Sequence, residues 1–159
     1  MTLTGIGYDS HRLVHGRRLV LGGLEIEHEL GLEGHSDADV LAHAVIDALL
    51  GAAGMGDIGG HFPDSDERWS GADSMALLAT VVALVTEAGL RIVNVDSTLA
   101  LEQPKLAPHR AAIRNSLALA LALPSERVNV KLTTGEGMGF VGRREGVAAL
   151  ALATLETRS

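Results

Sequence analysis

Cysteine is absent from the 159-residue sequence. This absence excludes disulfide bonds, thiolate metal sites and cysteine nucleophiles. Aromatic residues are almost as scarce, with one Trp, one Tyr and two Phe. The apolar residues are mainly Ala, Leu and Val. Such small side chains favour close packing of helices on sheets, or of subunits on one another, over aromatic anchoring.

Basic residues are outnumbered, with 13 Lys and Arg against 20 Asp and Glu and a net charge of −7 when His is neutral. We therefore expect no nucleic acid partner, because neutralising a phosphate backbone requires a basic face. A small phosphorylated substrate stays possible, since a metal ion can supply the positive charge.

Long apolar runs are missing as well. No stretch reaches about 18 charge-free apolar residues, and the start MTLTGIGYDSHRL has no charged segment leading into an apolar one. We therefore expect no membrane partner and a cytoplasmic location. With 47% hydrophobic residues and no repeat or linker, residues 1–159 are expected to form a single domain.

Apolar periodicity predicts the secondary structure. The predicted segments are a strand at 3–9, a hairpin at 18–27, helices at 38–52 and 72–88, a strand at 91–102, a helix at 108–122, a strand at 127–134 and a closing segment at 146–156. The closing segment is helical by Ala and Leu propensity, whereas its length and position favour a strand. This order predicts an α+β fold: a mixed four-stranded β-sheet with helices packed on one face, a β-α-β-α-β-β core and an N-terminal hairpin. The uncovered sheet face predicts oligomerisation.

Polar chemistry is concentrated early in the chain. Asp9 and His11 share one face of the first strand, since side chains alternate along a strand. His43 lies within the first helix, with Asp39 and Asp47 one turn before and after it. Two imidazoles and one carboxylate from Asp9, His11 and His43 suit zinc with an open fourth position, and manganese or iron stays open. The alternative without a metal is that Asp9 and His11 lie at an exposed strand end and that His43 lies on a solvated helix face. Asp47 either orients a ligand histidine or is simply exposed.

Three further segments could bind a phosphorylated ligand. Residues 35–37 precede the first helix, whose N-terminus favours anions, although capping by Ser36 or Asp37 explains the same residues. Residues 133–136 could cradle phosphate oxygens, although most Gly-rich turns are only turns. The acidic loop 57–66 could accept hydrogen bonds from a polyol or be a plain surface loop.

Taken together, these segments resemble the family of 2-C-methyl-D-erythritol 2,4-cyclodiphosphate synthases. The matching segments are GYDSHRL (7–13), GHSDADVLAHAVIDALLGAAGMGDIGGHFPDSD (34–66), GADS (71–74), NVD (94–96), PKLAPH (104–109) and VNVKLTTGEGMGFVGRREG (128–146). The resemblance implies a phosphorus-oxygen lyase of non-mevalonate isoprenoid synthesis. In that reaction, the 2-phosphate of 4-diphosphocytidyl-2-C-methyl-D-erythritol 2-phosphate attacks the β-phosphate, CMP leaves and the cyclodiphosphate forms. It also implies a homotrimer with active sites at subunit interfaces.

The resemblance further implies residue roles. Asp9, His11 and His43 correspond to zinc ligands, His35 and Thr134 to transition-state stabilisation, and Glu136 to the ligand of a magnesium or manganese ion. The residues implied to bind substrate are Asp9, Ser10, His11, His35, Ser36, Asp57, Ile58, Gly59, Phe62, Pro63, Asp64, Ser65, Asp66, Leu101, Pro104, Lys105, Leu106, Ala107, Thr133, Thr134, Gly135, Glu136, Phe140 and Arg143. Those at 101–107 and 133–136 correspond to a cytidine diphosphate side reached from the neighbouring subunit.

Some positions depart from the family pattern, and other functions remain to be weighed. Gly135 stands where Thr is common, Glu102-Gln103 replaces a smaller pair, and the role of His61 is open. A phosphohydrolase with the same three ligands would release a linear product after attack by water. A non-enzymatic trimeric metal-binding protein would turn over no substrate.

Overall fold

Seven strands and five helices make up the computed structural model, which describes residues 1–158. The strands are β1 (Thr2–His15), β2 (Leu19–Leu21), β3 (Leu24–Ile26), β4 (Leu30–Leu32), β5 (Leu90–Ala100), β6 (Val128–Thr133) and β7 (Gly146–Thr157). The helices are α1 (Val40–Ala53), α2 (Ile58–His61), α3 (Ser74–Glu87), α4 (Arg110–Ala120) and α5 (Gly139–Gly142). The predicted α+β class and the N-terminal hairpin, β2–β3, are confirmed.

The main sheet has the strand order β4-β1-β7-β5-β6. Strand β7 runs antiparallel to β1 and β5, whereas β5 and β6 are parallel, so the sheet is mixed as predicted. The predicted count of four strands is one too low. The additional strand β4 pairs Leu30 to Leu32 with the end of β1, and three residues are too few to give a periodic signal. Strand β1 also runs beyond its predicted end at residue 9, because residues 10–12 pair with β7 and residues 13–15 pair with β4.

The closing segment forms strand β7 at the centre of the sheet. Ala and Leu favour a helix in isolation, but pairing with a long strand on each side overrides that local preference. Between α1 and α3 the chain forms the single turn α2 and a short 3₁₀ turn at Glu67–Trp69. No helix within residues 1–158 combines the length and the apolar character needed to cross a membrane.

Helix α1 packs directly on the backbone of β1. A side chain at Gly5 would overlap the carbonyl oxygen of Ala48, and one at Gly7 would overlap that of Ala44. Nearly every residue of α1 is buried, and its neighbours on β7 are mainly small. The missing side chains therefore set how closely the helix and the sheet approach each other.

Asp39 caps α1, not Ser36 or Asp37 as the sequence predicts. Its carboxylate accepts the N–H of Ala42 at 3.0 Å and the two N–H groups of the Gly22-Gly23 turn at 2.9 and 2.7 Å. Burial raises the pKa of Asp39 to about 6, against the opposing effect of these three donors. The cap therefore also ties the hairpin to the helix, a partner that lies too far along the chain for local patterns to reveal.

The sheet face opposite the helices carries an exposed apolar patch. Ile6 and Tyr8 on β1 are 66% and 58% exposed. In register with them on β7 lie Leu152 and Leu150, which are also exposed. A contiguous patch of this kind is typical of a subunit interface.

Replacing Gly7 with Ala tests the close packing of α1 on β1. The added methyl group has no room, so Gly7→Ala is expected to lower the free energy of unfolding by about 3 kcal/mol. Chemical denaturation at fixed chain concentration measures this change.

Gly51→Ala is the matched control on the opposing helix. Its nearest atoms would be 3.8 and 3.9 Å away, so the substitution is expected to raise stability by about 0.5–1 kcal/mol through helix propensity. Equal stabilities of Gly7→Ala and wild type would contradict the packing.

Candidate metal centre and substrate pocket

Asp9, His11 and His43 converge at the junction of β1 and α1. The carboxylate Oδ2 of Asp9 lies 2.9 Å from Nε2 of His11 and 3.1 Å from Nδ1 of His43. The two ring nitrogens are 3.2 Å apart. A tetrahedral ion with bonds of about 2.0–2.1 Å would separate its ligands by about 3.3 Å. The three side chains therefore form a group that could hold a metal ion.

The other ring nitrogen of His11 fixes the orientation of that ring. Nδ1 lies 2.8 Å from the carbonyl oxygen of Glu33. A carbonyl can only accept, so Nδ1 carries the proton and donates it. In the neutral ring, Nε2 is thereby left with a free lone pair that points at Asp9 and His43, as metal ligation requires. Gly34 allows the ring to lie there, since a Cβ at that position would be 3.1 Å from it.

The charges of Asp9 and His11 stabilise each other. Burial alone would raise the pKa of Asp9, but the imidazoles of His11 and His43 beside it lower it to about 2. Burial alone would lower the pKa of His11, but the carboxylate of Asp9 raises it. The junction therefore favours positive charge beside an ionised carboxylate, and a divalent cation bound there would replace the second ring proton of His11 on Nε2.

A cavity of about 490 Å³ opens beside this group. The predicted site residues that line it are Asp9, His11, His35, Ser36, His43, Ile58, Gly59, Phe62, Pro63 and Asp64. Gly34, Trp69 and Leu77 also line it and were missed by the sequence analysis. Trp69 packs edge-on against Phe62 with ring centroids 5.0 Å apart. A single Trp in a chain this poor in aromatic residues was the signal that could have pointed to it.

Asp47 anchors the loop that forms one wall of this cavity. Neither alternative from the sequence was right, because Asp47 neither contacts His43 nor lies free in solvent. Its Oδ1 accepts the N–H of Ile58 at 2.7 Å, and burial raises its pKa. Asp57 then caps α2 by accepting the N–H of Gly60 at 2.9 Å. Helix α1 thus carries the metal candidate His43 and, one turn later, the loop anchor.

Other residues of this loop make contacts of their own, and His61 and Asp66 do not line the cavity. His61 donates from Nε2 to the carbonyl oxygen of Met55 at 2.8 Å, since a carbonyl can only accept. Asp66 pairs with Arg68, and Asp64 lies 4.0 Å from Nδ1 of His35. In this arrangement His61 stabilises the loop from within, while Asp64 faces the open side of the cavity.

A second set of predicted residues lies elsewhere on the chain. Leu101, Pro104, Lys105, Leu106, Ala107, Thr133 and Thr134 line a separate cavity of about 240 Å³. Thr133 stands in one row with Ala100, Ala148 and Ser10 across the sheet. Three strand spacings of about 4.8 Å place it about 14 Å from β1. One chain therefore does not bring Thr134 next to His35.

Other predicted residues do not line the main cavity. Phe140 lines a third, smaller hollow with Ser10 and the metal candidate His11, and the guanidinium of Arg143 pairs with Glu145 at 2.8 Å. Within residues 1–158, Glu136 joins no cluster of three or more possible metal ligands. Its side chain is exposed on the turn after β6.

The departures at Glu102 and Gly135 are linked to each other. The carboxylate of Glu102 accepts the N–H of Gly135 at 2.5 Å. A Cβ at Gly135 would lie 2.5 Å from the backbone nitrogen of Gly142 and 2.8 Å from the carbonyl oxygen of Met138. Gly135 is therefore required by the close approach of the following turn, and Glu102 holds that turn against the end of β5.

His43→Ala tests the metal group. The variant loses one of three converging donors, so zinc added to the purified protein is expected to be retained at a small fraction of an equivalent per chain, against about one equivalent for the wild type. Elemental analysis after dialysis measures the metal content. His15→Ala removes an exposed histidine and should retain full metal content. Stoichiometric zinc in His43→Ala would show that the ion binds elsewhere.

Comparison with known proteins shows which family the chain belongs to. Residues 2–156 match the model of the YgbB family. A 2-C-methyl-D-erythritol 2,4-cyclodiphosphate synthase of Salinibacter ruber is 59% identical over 153 residues, or 96% of this chain and 98% of that protein. The bifunctional IspDF from Campylobacter jejuni aligns with a TM-score of 0.95 and 43% identity, over 99% of this chain and 42% of that chain. A cyclodiphosphate synthase in its CDP-bound form aligns with a TM-score of 0.89 and 42% identity, over 96% of this chain and 99% of that chain. The chain therefore belongs to the YgbB family, as a relative of the 2-C-methyl-D-erythritol 2,4-cyclodiphosphate synthases.

Proposed function

We propose that this chain converts 4-diphosphocytidyl-2-C-methyl-D-erythritol 2-phosphate to 2-C-methyl-D-erythritol 2,4-cyclodiphosphate and CMP. Relatives named 2-C-methyl-D-erythritol 2,4-cyclodiphosphate synthase are 54–59% identical to this chain over nearly their full length. The observation that carries the proposal is the convergence of Asp9, His11 and His43 at the wall of a cavity of about 490 Å³. This arrangement offers a cation site and a substrate pocket side by side.

The chemistry requires two phosphate groups of one substrate to meet in line. Intramolecular attack is fast only when the reacting atoms are held in contact, and the pocket walls supply that restraint. We assign the erythritol hydroxyls to the loop 57–66, whose carboxylates accept hydrogen bonds. His35 lies at the mouth of the same pocket, where its ring can donate to a phosphoryl oxygen.

The proposed cofactors supply the positive charge that the chain lacks. Zinc held by Asp9, His11 and His43, with magnesium or manganese held by Glu136, would neutralise the diphosphate and lower the repulsion against the attacking oxygen. The two nitrogen ligands and one oxygen ligand match the preferences of zinc, and the exposed carboxylate of Glu136 matches those of the harder ion.

A homotrimer with sites shared between subunits is part of the proposal. The pocket that contains His35 is bordered by residues of β1, and β1 lies about 14 Å across the sheet from Thr133, which lines the cavity assigned to the cytidine side. A neighbouring copy can supply that second cavity. The exposed patch of Ile6, Tyr8, Leu150 and Leu152 offers an apolar surface for such packing.

The domain organisation and the cellular location complete the proposal. Residues 1–159 would act as one domain, and its site would work in the cytoplasm, where bacteria make their biosynthetic intermediates. Kinship with bacterial biosynthetic enzymes supports both statements.

Release of CMP tests the reaction. Purified protein with zinc and magnesium is expected to convert the substrate to one equivalent of CMP and a cyclic diphosphate. Chromatography measures the CMP, and phosphorus NMR identifies the cyclic diphosphate. Attack by water would instead leave a linear phosphorylated product and identify a phosphohydrolase. Absence of any turnover by the metal-loaded protein would contradict both the proposed cyclisation and the phosphohydrolase activity.

Mixing two inactive variants tests the shared site. His43→Ala and Thr134→Ala should each be inactive alone. When the two are unfolded together and refolded, a site that takes His43 from one chain and Thr134 from the next is intact in about one quarter of random pairings. Activity is therefore expected to recover to about one quarter of the wild-type value. No recovery, with mixed assemblies demonstrated by mass spectrometry, would place the whole site within one chain.

A further inference from the structure

A buried serine lies behind the candidate metal ligand His43. Ser74, the first residue of α3, is completely buried, and its hydroxyl is 2.8 Å from Nε2 of His43. The same hydroxyl contacts Oδ1 of Asp37 at short range. A continuous chain of polar contacts thus runs from the carboxylate of Asp37 through Ser74 to the imidazole of His43, on the side away from Asp9 and His11.

The proton positions in this chain follow from its chemistry. A carboxylate can only accept, so the single hydroxyl proton of Ser74 is donated to Asp37. The oxygen of Ser74 is then left as an acceptor towards His43, and Nε2 must carry the ring proton. Nδ1, which faces Asp9 and His11, keeps its lone pair. This tautomer is the one that can bind a cation at the converging group.

Ser36 is a weaker second partner of the same ring nitrogen. Its hydroxyl oxygen lies 3.2 Å from Nε2 of His43 and already accepts the N–H of Ala38 at 3.1 Å. Within residues 1–158 it contacts no carboxylate that would direct its proton away from the ring, and its other side-chain neighbour is the hydroxyl of Ser74 at 3.5 Å. The orientation of His43 is therefore determined mainly through Ser74.

Asp37 is itself held firmly at the start of α3. Its Oδ2 accepts the N–H of Ser74 at 3.1 Å, and its Oδ1 accepts the N–H of Asp39 at 3.1 Å. Its own N–H donates to the carbonyl oxygen of Ala72 at 3.0 Å, and Gly71 donates to the carbonyl of His35 at 2.8 Å. The chain of contacts from Asp37 through Ser74 to His43, which we call the relay, is thus part of the contact between the residues before α1 and the start of α3.

We propose that Ser74 and Asp37 are positioning residues that hold His43 in its metal-binding tautomer and increase the electron density on Nδ1. A carboxylate that accepts from the far nitrogen of a metal-bound histidine strengthens the metal bond, and here a serine hydroxyl is inserted between the two groups. The proposal rests on the proposed function only in taking His43 as a metal ligand. It concerns metal affinity and does not require a particular substrate.

Zinc affinity of Ser74→Ala tests this relay. Removal of the hydroxyl leaves Nε2 without its main acceptor, so the zinc dissociation constant is expected to rise about 10–100-fold. Competition with a chromophoric chelator measures the constant. The visible absorption of the cobalt-substituted protein gives a second readout, because altered ligand orientation changes the intensity of its bands.

Ser97→Ala is the matched control. Ser97 is also a buried serine, but its hydroxyl donates to the carbonyl oxygen of Asn129 at 2.8 Å, away from the metal group. The Ser97→Ala variant should lose about as much thermal stability as Ser74→Ala, while its zinc dissociation constant and the spectrum of its cobalt form stay at wild-type values. A purely structural role of Ser74 would make the two variants behave alike.

Asp37→Asn tests the relay independently if Ser74→Ala fails to fold. It removes the negative charge at nearly constant size, and its zinc constant is expected to rise by a smaller factor than that of Ser74→Ala. Zinc constants within twofold of wild type in whichever of these variants folds would overturn the relay. Since turnover is not measured, a wild-type chain that binds zinc but releases no CMP would contradict the proposed function alone.

Discussion

The direct contact between α1 and the backbone of β1 is the constraint on which the candidate site depends. Gly5 and Gly7 leave no side chain between the helix and the strand. Because the helix lies this close, a histidine from its second turn reaches the carboxylate and the imidazole on the strand within 2.9–3.2 Å. Larger residues at the two glycines would move the helix outward and separate ligands that must meet at one ion.

Successive turns of α1 bind three parts of the fold. Asp39 holds the hairpin turn, His43 meets β1, and Asp47 holds the loop before α2. These residues are four apart, so they form one polar stripe on an otherwise apolar helix. A polar group inside a protein needs a partner, and here each one has found it on a different segment. The stripe therefore joins the cap, the ligand and the pocket wall into one rigid unit.

The distribution of charge fits an acidic chain that acts on an anionic substrate. Around the cavity the chain offers carboxylates and imidazoles, and it has no dense basic patch in its sequence. Asp9 stays ionised, with a pKa of about 2, because the imidazoles beside it stabilise its charge. Under the proposed function, positive charge comes from bound cations placed where the phosphates meet, which restricts it to the point where the reaction needs it.

The sequence by itself determined the local features: the helices α1, α3 and α4, the hairpin, most strands, and the pair Asp9 and His11 on one face of a strand. These follow from periodicity and side-chain chemistry within a few residues. Tertiary structure alone decided that the Ala- and Leu-rich end becomes the central strand β7, that Asp39 caps α1, that Asp47 binds Ile58, and that Ser74 stands behind His43. It also decided that Thr133 lies three strands from β1. Each of these depends on which distant segments pack together, and that choice is made by the whole core.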